Sequence, residues 1–280
     1  MAPSSGTSIT SSCSSDDGAP NATASSNITG QGGSRTQVPV AIVGMGCRLP
    51  GHNNSPTELW NFLKQGGIAT NEPPASRFNL AGHHDKHRRP RTMKSPGGMF
   101  MEDVDPAVFD AQFFNISHLD AVAMDPQQRQ LLEVTYECLE NAGIPLETVS
   151  GKSIGCIVGT NIVDYAAIQN RDPEDRPDSA TIGVASSILT CSASLVAVDV
   201  ACRYLDSYQA DAMLVAGANI WLSPEHNEET GMMRMTQSAS GKCHSFDAKA
   251  DGYVKAEGIN CVFLKRLDDA RWSYTWDCQS

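Results

Sequence analysis

The 280-residue chain has no CxxC pair, no apolar run long enough to cross a membrane, no internal repeat and no surplus of positive charge. Each absence removes a class of protein. The nine cysteines (Cys13, Cys47, Cys138, Cys156, Cys191, Cys202, Cys243, Cys261 and Cys278) stand singly and without regular spacing, so they read as reduced thiols of a cytoplasmic chain and not as a disulfide framework. A formal net charge of -11 argues against nucleic acid, because binding a phosphate backbone relies on neutralisation by Lys and Arg. Without a membrane span, or the basic and apolar regions of a signal peptide at the start, the acceptor-like Asn21, Asn27, Asn53 and Asn115 are chance matches. Residues 1–36 are poor in large apolar side chains and rich in Ser, Thr, Gly, Asn and Ala; they cannot bury enough surface to offset the entropy of ordering and are expected to be a disordered leader.

What is present is a globular α/β pattern in a chain that is 40% hydrophobic. VPVAIVGMG from Val38 predicts a first buried strand and its turn. Gly44 and Gly46 begin a GxG, but Leu49 stands where a dinucleotide fingerprint needs its third glycine, and no acidic ribose partner follows at the expected distance. No nucleotide site is expected. Ser55, Pro56 and Glu58 form a capping box for a short amphipathic helix. His83 and His87 have the spacing of a helical metal pair, yet Pro90 and the surrounding charges predict a solvated loop over 83–91, with no metal. MDPQQRQLLEVTYECLENAG, Met124 to Gly143, predicts a long core helix capped by Asp125, with Pro126 after it, a buried face of Leu131, Leu132, Thr135 and Leu139, and a stop at Gly143. Ser153–Thr160 and Ala212–Ile220 predict buried strands, and residues 171–181 a polar loop.

TCSASLVAVDVACRYLD, Thr190 to Asp206, places Cys191 at a helix start. Leu195, Val198, Cys202 and Leu205 recur along one predicted face. The unpaired amides and the positive end of the macrodipole at such a position favour the thiolate, which is the nucleophile. An inert core thiol is the alternative that this stretch alone leaves open.

With MDPQQR at 124–129 and CSASL at 191–195, the chain resembles the β-ketoacyl synthase domain of polyketide synthases. The likeness runs from Val38 to about Ala270 and continues in AIVGMGCRLPG at 41–51, FDAQFFNIS at 109–117, VAGANIWLSPE at 215–225 and GKCHSFDAKADGYVKAEG at 241–258. The wording of EVTYECLENAGIP and RDPEDRPDSAT is most similar to fungal highly reducing polyketide synthases. The resemblance implies the N-terminal half of a thiolase-like fold, a mixed sheet with packed helices, incomplete in this chain. It also implies a homodimer, and decarboxylative Claisen condensation of acyl and malonyl thioesters. Cys191 would take the acyl chain from the phosphopantetheine arm of an acyl carrier protein, while two histidines stabilise the enolate. No cofactor is expected in the chain itself.

Three departures qualify that expectation. Residues 178–190 run directly into CSASL, so a segment is expected to be missing between about 184 and 191, including the strand that should hold Cys191. The two family histidines have no counterpart: after Cys191 stand only His226 and His244, neither in the context of a catalytic histidine. Residues 271–280, RWSYTWDCQS, have no family counterpart. The domain organisation expected is therefore leader 1–36, ketosynthase region 37–270 and unrelated tail 271–280. The functional expectation is a truncated, condensation-inactive ketosynthase. Two alternatives stand beside it: a half-domain that pairs with a ketosynthase or occupies a carrier protein, and a residual cysteine acyltransferase or thioesterase using Cys191 with His226 or His244.

Overall fold

The computed structural model describes residues 37–85, 87, 92–161, 163–171, 188–189, 192–224 and 236–273. The expected leader, Cys191, His226, the 171–181 loop beyond Arg171, and residues 274–280 of the expected tail lie outside them. In chain order the elements are β1 (Val40–Arg48), α1 (Pro56–Lys64), α2 (Leu80–His83), α3 (His118–Ala123), α4 (Pro126–Asn141), α5 (Leu146–Val149), β2 (Ile154–Thr160), α6 (Asp164–Gln169), β3 (Ile188–Leu189), α7 (Ala193–Asp206), β4 (Ala212–Asn219), β5 (Gly258–Arg266) and α8 (Leu267–Ser273). The strands form one mixed sheet in the order β1-β5-β4-β2-β3. β2 runs parallel to both β3 and β4, whereas β5 is antiparallel to β4 and to β1.

Period-two alternation divides the core between the sheet's two faces. Leu214, Ala216 and Phe263 point to one face, where Val134, Cys138 and Leu139 of α4 cover them. Met213, Val215 and Leu264 point to the other, beneath Ala197, Ala201 and Leu205 of α7. α4 has the ends its sequence predicts, but its buried apolar face is Val134, Cys138 and Leu139, with the expected Leu131, Leu132 and Thr135 only half-buried. Asp125 Oδ1 accepts from Gln127 N at 2.8 Å and Gln128 Oε1 accepts from Asp125 N at 3.3 Å, a complete capping box, with Pro126 at the first helical position. Gly143 follows the last turn at φ 64°, the left-handed conformation that ends helices. α1 is capped likewise, with Glu58 N donating to Ser55 Oγ at 3.2 Å.

Three further expectations need correction. β1 does not turn at its glycines. It continues to Arg48, with a register shift between Ile42 and Gly44, because both glycines lie under α4. A Cβ on Gly44 would stand 2.4 Å from the Cys138 carbonyl oxygen, and one on Gly46 2.6 Å from that of Val134. The buried face of α7 is not the expected one: Ala193, Ala197, Ala201 and Leu205 face the sheet, while Leu195 is 73% exposed and Val198 and Cys202 are half-buried. Small residues win the sheet side because α7 sits close to it. A strand does precede Cys191: the short β3 pairs in parallel with β2, Ile188 opposite Gly159 and Leu189 opposite Thr160. At the expected loop over 83–91, His83 closes the four-residue α2 and His87 lies beyond that helix. α8 runs across position 270, from Leu267 to Ser273.

Candidate functional site

The site is built where the parallel strands β2, β3 and β4 end and α7 begins. In open α/β sheets this is the edge at which ligands bind. Leu189 ends β3, Cys191 follows two residues later, and α7 starts two residues after that. The first turn of α7 rests on two glycines, one in each neighbouring strand. A Cβ on Gly159 of β2 would lie 2.7 Å from the backbone of Ala193 and Ser194, and one on Gly217 of β4 would lie 2.4 Å from Ser194 Oγ. Any side chain at Gly159 would therefore lift the helix start off the sheet. Ser192, the N-cap residue, makes no side-chain capping bond, so among the described residues no side-chain cap occupies the amides of this first turn.

The other wall of this edge is the segment after β4, and its backbone is latched. Four consecutive amides are held by three buried side chains from distant parts of the sequence. Ile220 N donates to Gln127 Oε1 at 3.3 Å, Trp221 N to Glu257 Oε1 at 3.0 Å, and Leu222 N and Ser223 N to Asp164 Oδ2 at 3.0 and 3.1 Å. Gln127 Oε1 also accepts from Thr160 Oγ1, at 3.3 Å, on the last residue of β2. Glu257 is paired with Arg77 at 3.3 Å, both side chains almost wholly buried, and accepts from Met101 N at 2.8 Å. Burial pushes the Glu257 carboxyl above the usual range, against the opposing pull of Arg77. Arg129, the arginine of MDPQQR, donates from Nε and Nη2 to the Met124 carbonyl at 3.0 and 2.8 Å and from Nη1 to that of Pro106 at 3.3 Å. It ties down the chain leading into α4.

Burial raises Cys47 and Cys202 above an ordinary thiol, and Cys138 and Cys261 are buried inside the α4 face of the sheet. His244, in a loop at φ 47°, lies with Nε2 2.9 Å from Ser240 Oγ. That hydroxyl is 2.9 Å from Ser238 Oγ, which donates to Asp251 Oδ1 at 2.6 Å. The histidine is thus part of a local loop network. Among the described residues, no group of three His, Cys, Asp or Glu side chains could hold a metal ion, and no helix is long and apolar enough to cross a membrane.

Cys191, the residue that sequence reasoning singled out, lies outside the described residues, and that reasoning missed Gly159, Gly217, Gln127, Asp164 and Glu257. A signal was available for two kinds of them: glycines inside apolar strands mark close backbone approach, and glutamine among the core positions of a helix marks a buried acceptor or donor. Asp164 and Glu257 carry no comparable local pattern.

The family described as β-ketoacyl synthase, N-terminal domain, matches residues 37–190 and 183–270. A highly reducing polyketide synthase of Eupenicillium brefeldianum is 55% identical over 253 residues, 84% of this chain and 11% of that protein. The highly reducing polyketide synthase apmlA of Arthrinium phaeospermum is 51% identical over 254 residues, again 84% of this chain, and 10% of its own length. The chain thus spans about a tenth of these curated relatives. Among solved structures, an oxazolomycin ketosynthase domain of Streptomyces albus superposes with a TM-score of 0.73 at 26% identity, covering 84% of this chain and 43% of that one. The ketosynthase from module 6 of the bacillaene synthase of Bacillus subtilis gives 0.70 at 29% identity, covering 83% and 41%. With a thiolase-like sheet-and-helix arrangement, a helix start seated on two strand glycines and these matches, the chain belongs to the β-ketoacyl synthase family, as part of a ketosynthase like those of fungal highly reducing polyketide synthases.

Proposed function

We propose that this chain is the acyl-accepting part of a polyketide synthase ketosynthase, with Cys191 as the residue that is acylated. The thiolate sulfur attacks the carbonyl carbon of an acyl thioester, the bond from that carbon to the carrier's sulfur breaks, and the departing thiolate takes up the proton that Cys191 gave up. The observation that carries this reading is the seating of the first turn of α7 on Gly159 and Gly217, immediately after Cys191 and without a side-chain cap among the described residues. Amides left open there favour both a thiolate and the oxyanion of its attack. An acyl carrier protein, through its phosphopantetheine arm, and a second ketosynthase copy are the partners this reading implies. A cytoplasmic location fits the six described cysteines, none of which is in a disulfide.

Condensation itself is not expected of these residues alone, because the two histidines of the family motif have no counterpart in the sequence. Leu195 and Val196 on α7 and Ile42 and Met45 on β1 are exposed and apolar, which supports an incomplete ketosynthase over a self-sufficient binding module. The overlap of the two family matches at 183–190 supports the reading that a segment is missing between about 184 and 191. Sequencing the transcript across the codons for Ala185 to Cys191 tests that point: an in-frame insertion there would restore the segment, and a transcript matching the chain would make the shortened form the real one.

The test of acylation is incubation with the hexanoyl thioester of N-acetylcysteamine, followed by peptide mapping. The expected result is a hexanoyl adduct on Cys191 that is lost in Cys191→Ala, with no condensation product when a malonyl thioester is added. Equal labelling of the other cysteines, or none on Cys191, would overturn the assignment.

A further inference from the structure

Lys265 is a charged residue on the core face of the sheet. Period-two alternation along β5 points Cys261, Phe263 and Lys265 to the face that α4 covers. Its partners in the neighbouring strands are Ala41 on β1 and Ala212 on β4, whose small side chains leave room for a long one to lie along the sheet. α4 ends at Asn141, and the cover here comes instead from Ile144 and from Val149 of α5. Beneath that cover lies a cavity of about 280 Å³, to which Ile154 and Phe263 give further apolar wall and which Lys265 lines. It sits at the beginnings of β2 and β4, the opposite end of those strands from the start of α7.

Four other charged side chains line the cavity: Lys152 ahead of β2, Asp211 ahead of β4, Arg266 on β5 and Asp269 on α8. Arg266 engages both carboxylates, with Nε 2.6 Å from Asp269 Oδ2 and Nη2 3.6 Å from Asp211 Oδ1. A lysine that merely laid its stem on an apolar surface would keep its ammonium in water. Here burial pushes the Lys265 ammonium below the ordinary lysine value, against the pull of Asp269, which favours the charged form. An amine desolvated in an apolar site beside other cations is an activated nucleophile.

We propose that this cavity is an acyl site separate from the start of α7, in which Lys265 accepts a short acyl group from a thioester. The proposal rests on the reading above for its substrate class, an acyl thioester, and not for its acceptor. The lone pair of the uncharged Nζ attacks the thioester carbonyl carbon, the carbon–sulfur bond breaks, and the departing thiolate takes up the proton that the nitrogen loses. The products are an amide at Lys265 and a free thiol. The apolar walls hold the acyl tail, and Lys152 and Arg266 supply positive charge within the same cavity for the oxyanion.

The test is incubation of the full chain with the butanoyl and acetyl thioesters of N-acetylcysteamine, followed by neutral hydroxylamine and peptide mapping. Hydroxylamine releases thioester adducts from cysteine and leaves lysine amides in place. The exposed Lys64 and Lys249 of the same molecule serve as references. Lys265 should be butanoylated about fivefold or more faster than either at pH 8, and the ratio should fall as pH rises towards about 10.4, where ordinary lysines lose their protons too. Lys265 should also take butanoyl in preference to acetyl by about threefold or more, because two further methylenes are buried, and the references should show no such preference. Val149→Phe fills the cavity and should bring Lys265 down to the rate of the references, with thermal unfolding measured beside it. If Val149→Phe fails to fold, the preference for butanoyl in the unaltered chain decides.

Acylation of Lys265 no faster than that of Lys64 and Lys249, or without preference for butanoyl, would overturn the proposal. An unchanged Lys265 rate in folded Val149→Phe would do the same. The Cys191 adduct is scored before hydroxylamine is added, so the failure of that acceptor and the failure of this one are separate results.

Discussion

α4 and α7 lie on opposite faces of one sheet and differ most at their N-termini. α4 begins closed: the Asp125 carboxylate and Gln128 satisfy its first amides, Pro126 needs no partner there, and Arg129 secures the chain that leads in. α7 begins open, with no side-chain cap from Ser192 and small residues pressed against strand glycines. Closure stabilises a helix end by about 1 kcal/mol and leaves it nothing to offer a ligand. An open end is less stable by a similar amount and keeps its partial positive charge for an incoming anion. One helix end is spent on holding the fold, and the other is the end at which the proposed function puts a nucleophile.

The largest expected break in this comparison comes from crowding each helix from below. Gly159→Val forces a side chain against the Ala193–Ser194 backbone and should reduce alkylation of Cys191 by about a hundredfold or more. Gly46→Val forces one against the Val134 carbonyl under α4. It should cost stability, about 1–3 kcal/mol in urea unfolding, while the ratio of Cys191 to Cys202 alkylation stays put. Equal effects of the two on Cys191 would erase the distinction between the helices.

A smaller effect sharpens which face of α7 carries the packing. Leu205→Ala should destabilise the fold by about 2–5 kcal/mol, because that side chain is fully buried, whereas Leu195→Ala should stay within about 0.5 kcal/mol. Urea titrations of both variants measure the difference, and a large loss from Leu195→Ala would mean that its exposed face is covered in solution.

The smallest effect concerns the closed helix end. Burial raises the Asp125 carboxyl, so the folded chain holds that proton more tightly than the unfolded chain does. Its contribution to stability is then fullest in acid and declines as pH rises from about 4, the unfolded value, through the raised folded one. Asp125→Asn keeps an N-cap acceptor but cannot titrate. The stability of the unaltered chain relative to this variant should therefore fall as pH rises through that window, and a difference that grows with pH would contradict the buried-carboxyl account.

The order in which features could be read from the sequence follows their range along the chain. α4 was legible to within a residue or two because its signals are local: Asp125 and Pro126 at one end, Gly143 at the other and apolar steps between. The short α1 was legible for the same reason. β2 and β4 were legible as apolar runs. β5, the strand that pairs with both β1 and β4, carried no expectation at all, since Lys265 and Arg266 at its end and the loop-like residues before it masked the alternation of Ile259, Cys261 and Phe263. The face of α7 was misread because apolar periodicity favoured Leu195 and Val198, when the closeness of the sheet selected alanines. At the site, the motif around Cys191 is what the proposed function draws on. The latches on Ile220 to Ser223 were not legible, because they join residues about 36 to 93 positions apart, and no local pattern encodes such a meeting.

The glycines at 44, 46 and 159 also set how the molecule yields to force and to mutation. A helix that touches its strand through ordinary side chains can slide or roll as rotamers change. One laid directly on backbone has no such cushion, so α4 with β1 and α7 with β2 should each move as one stiff unit. A complete substitution scan would then find these three positions as intolerant as any in the chain. Their intolerance would appear in the yield of folded protein.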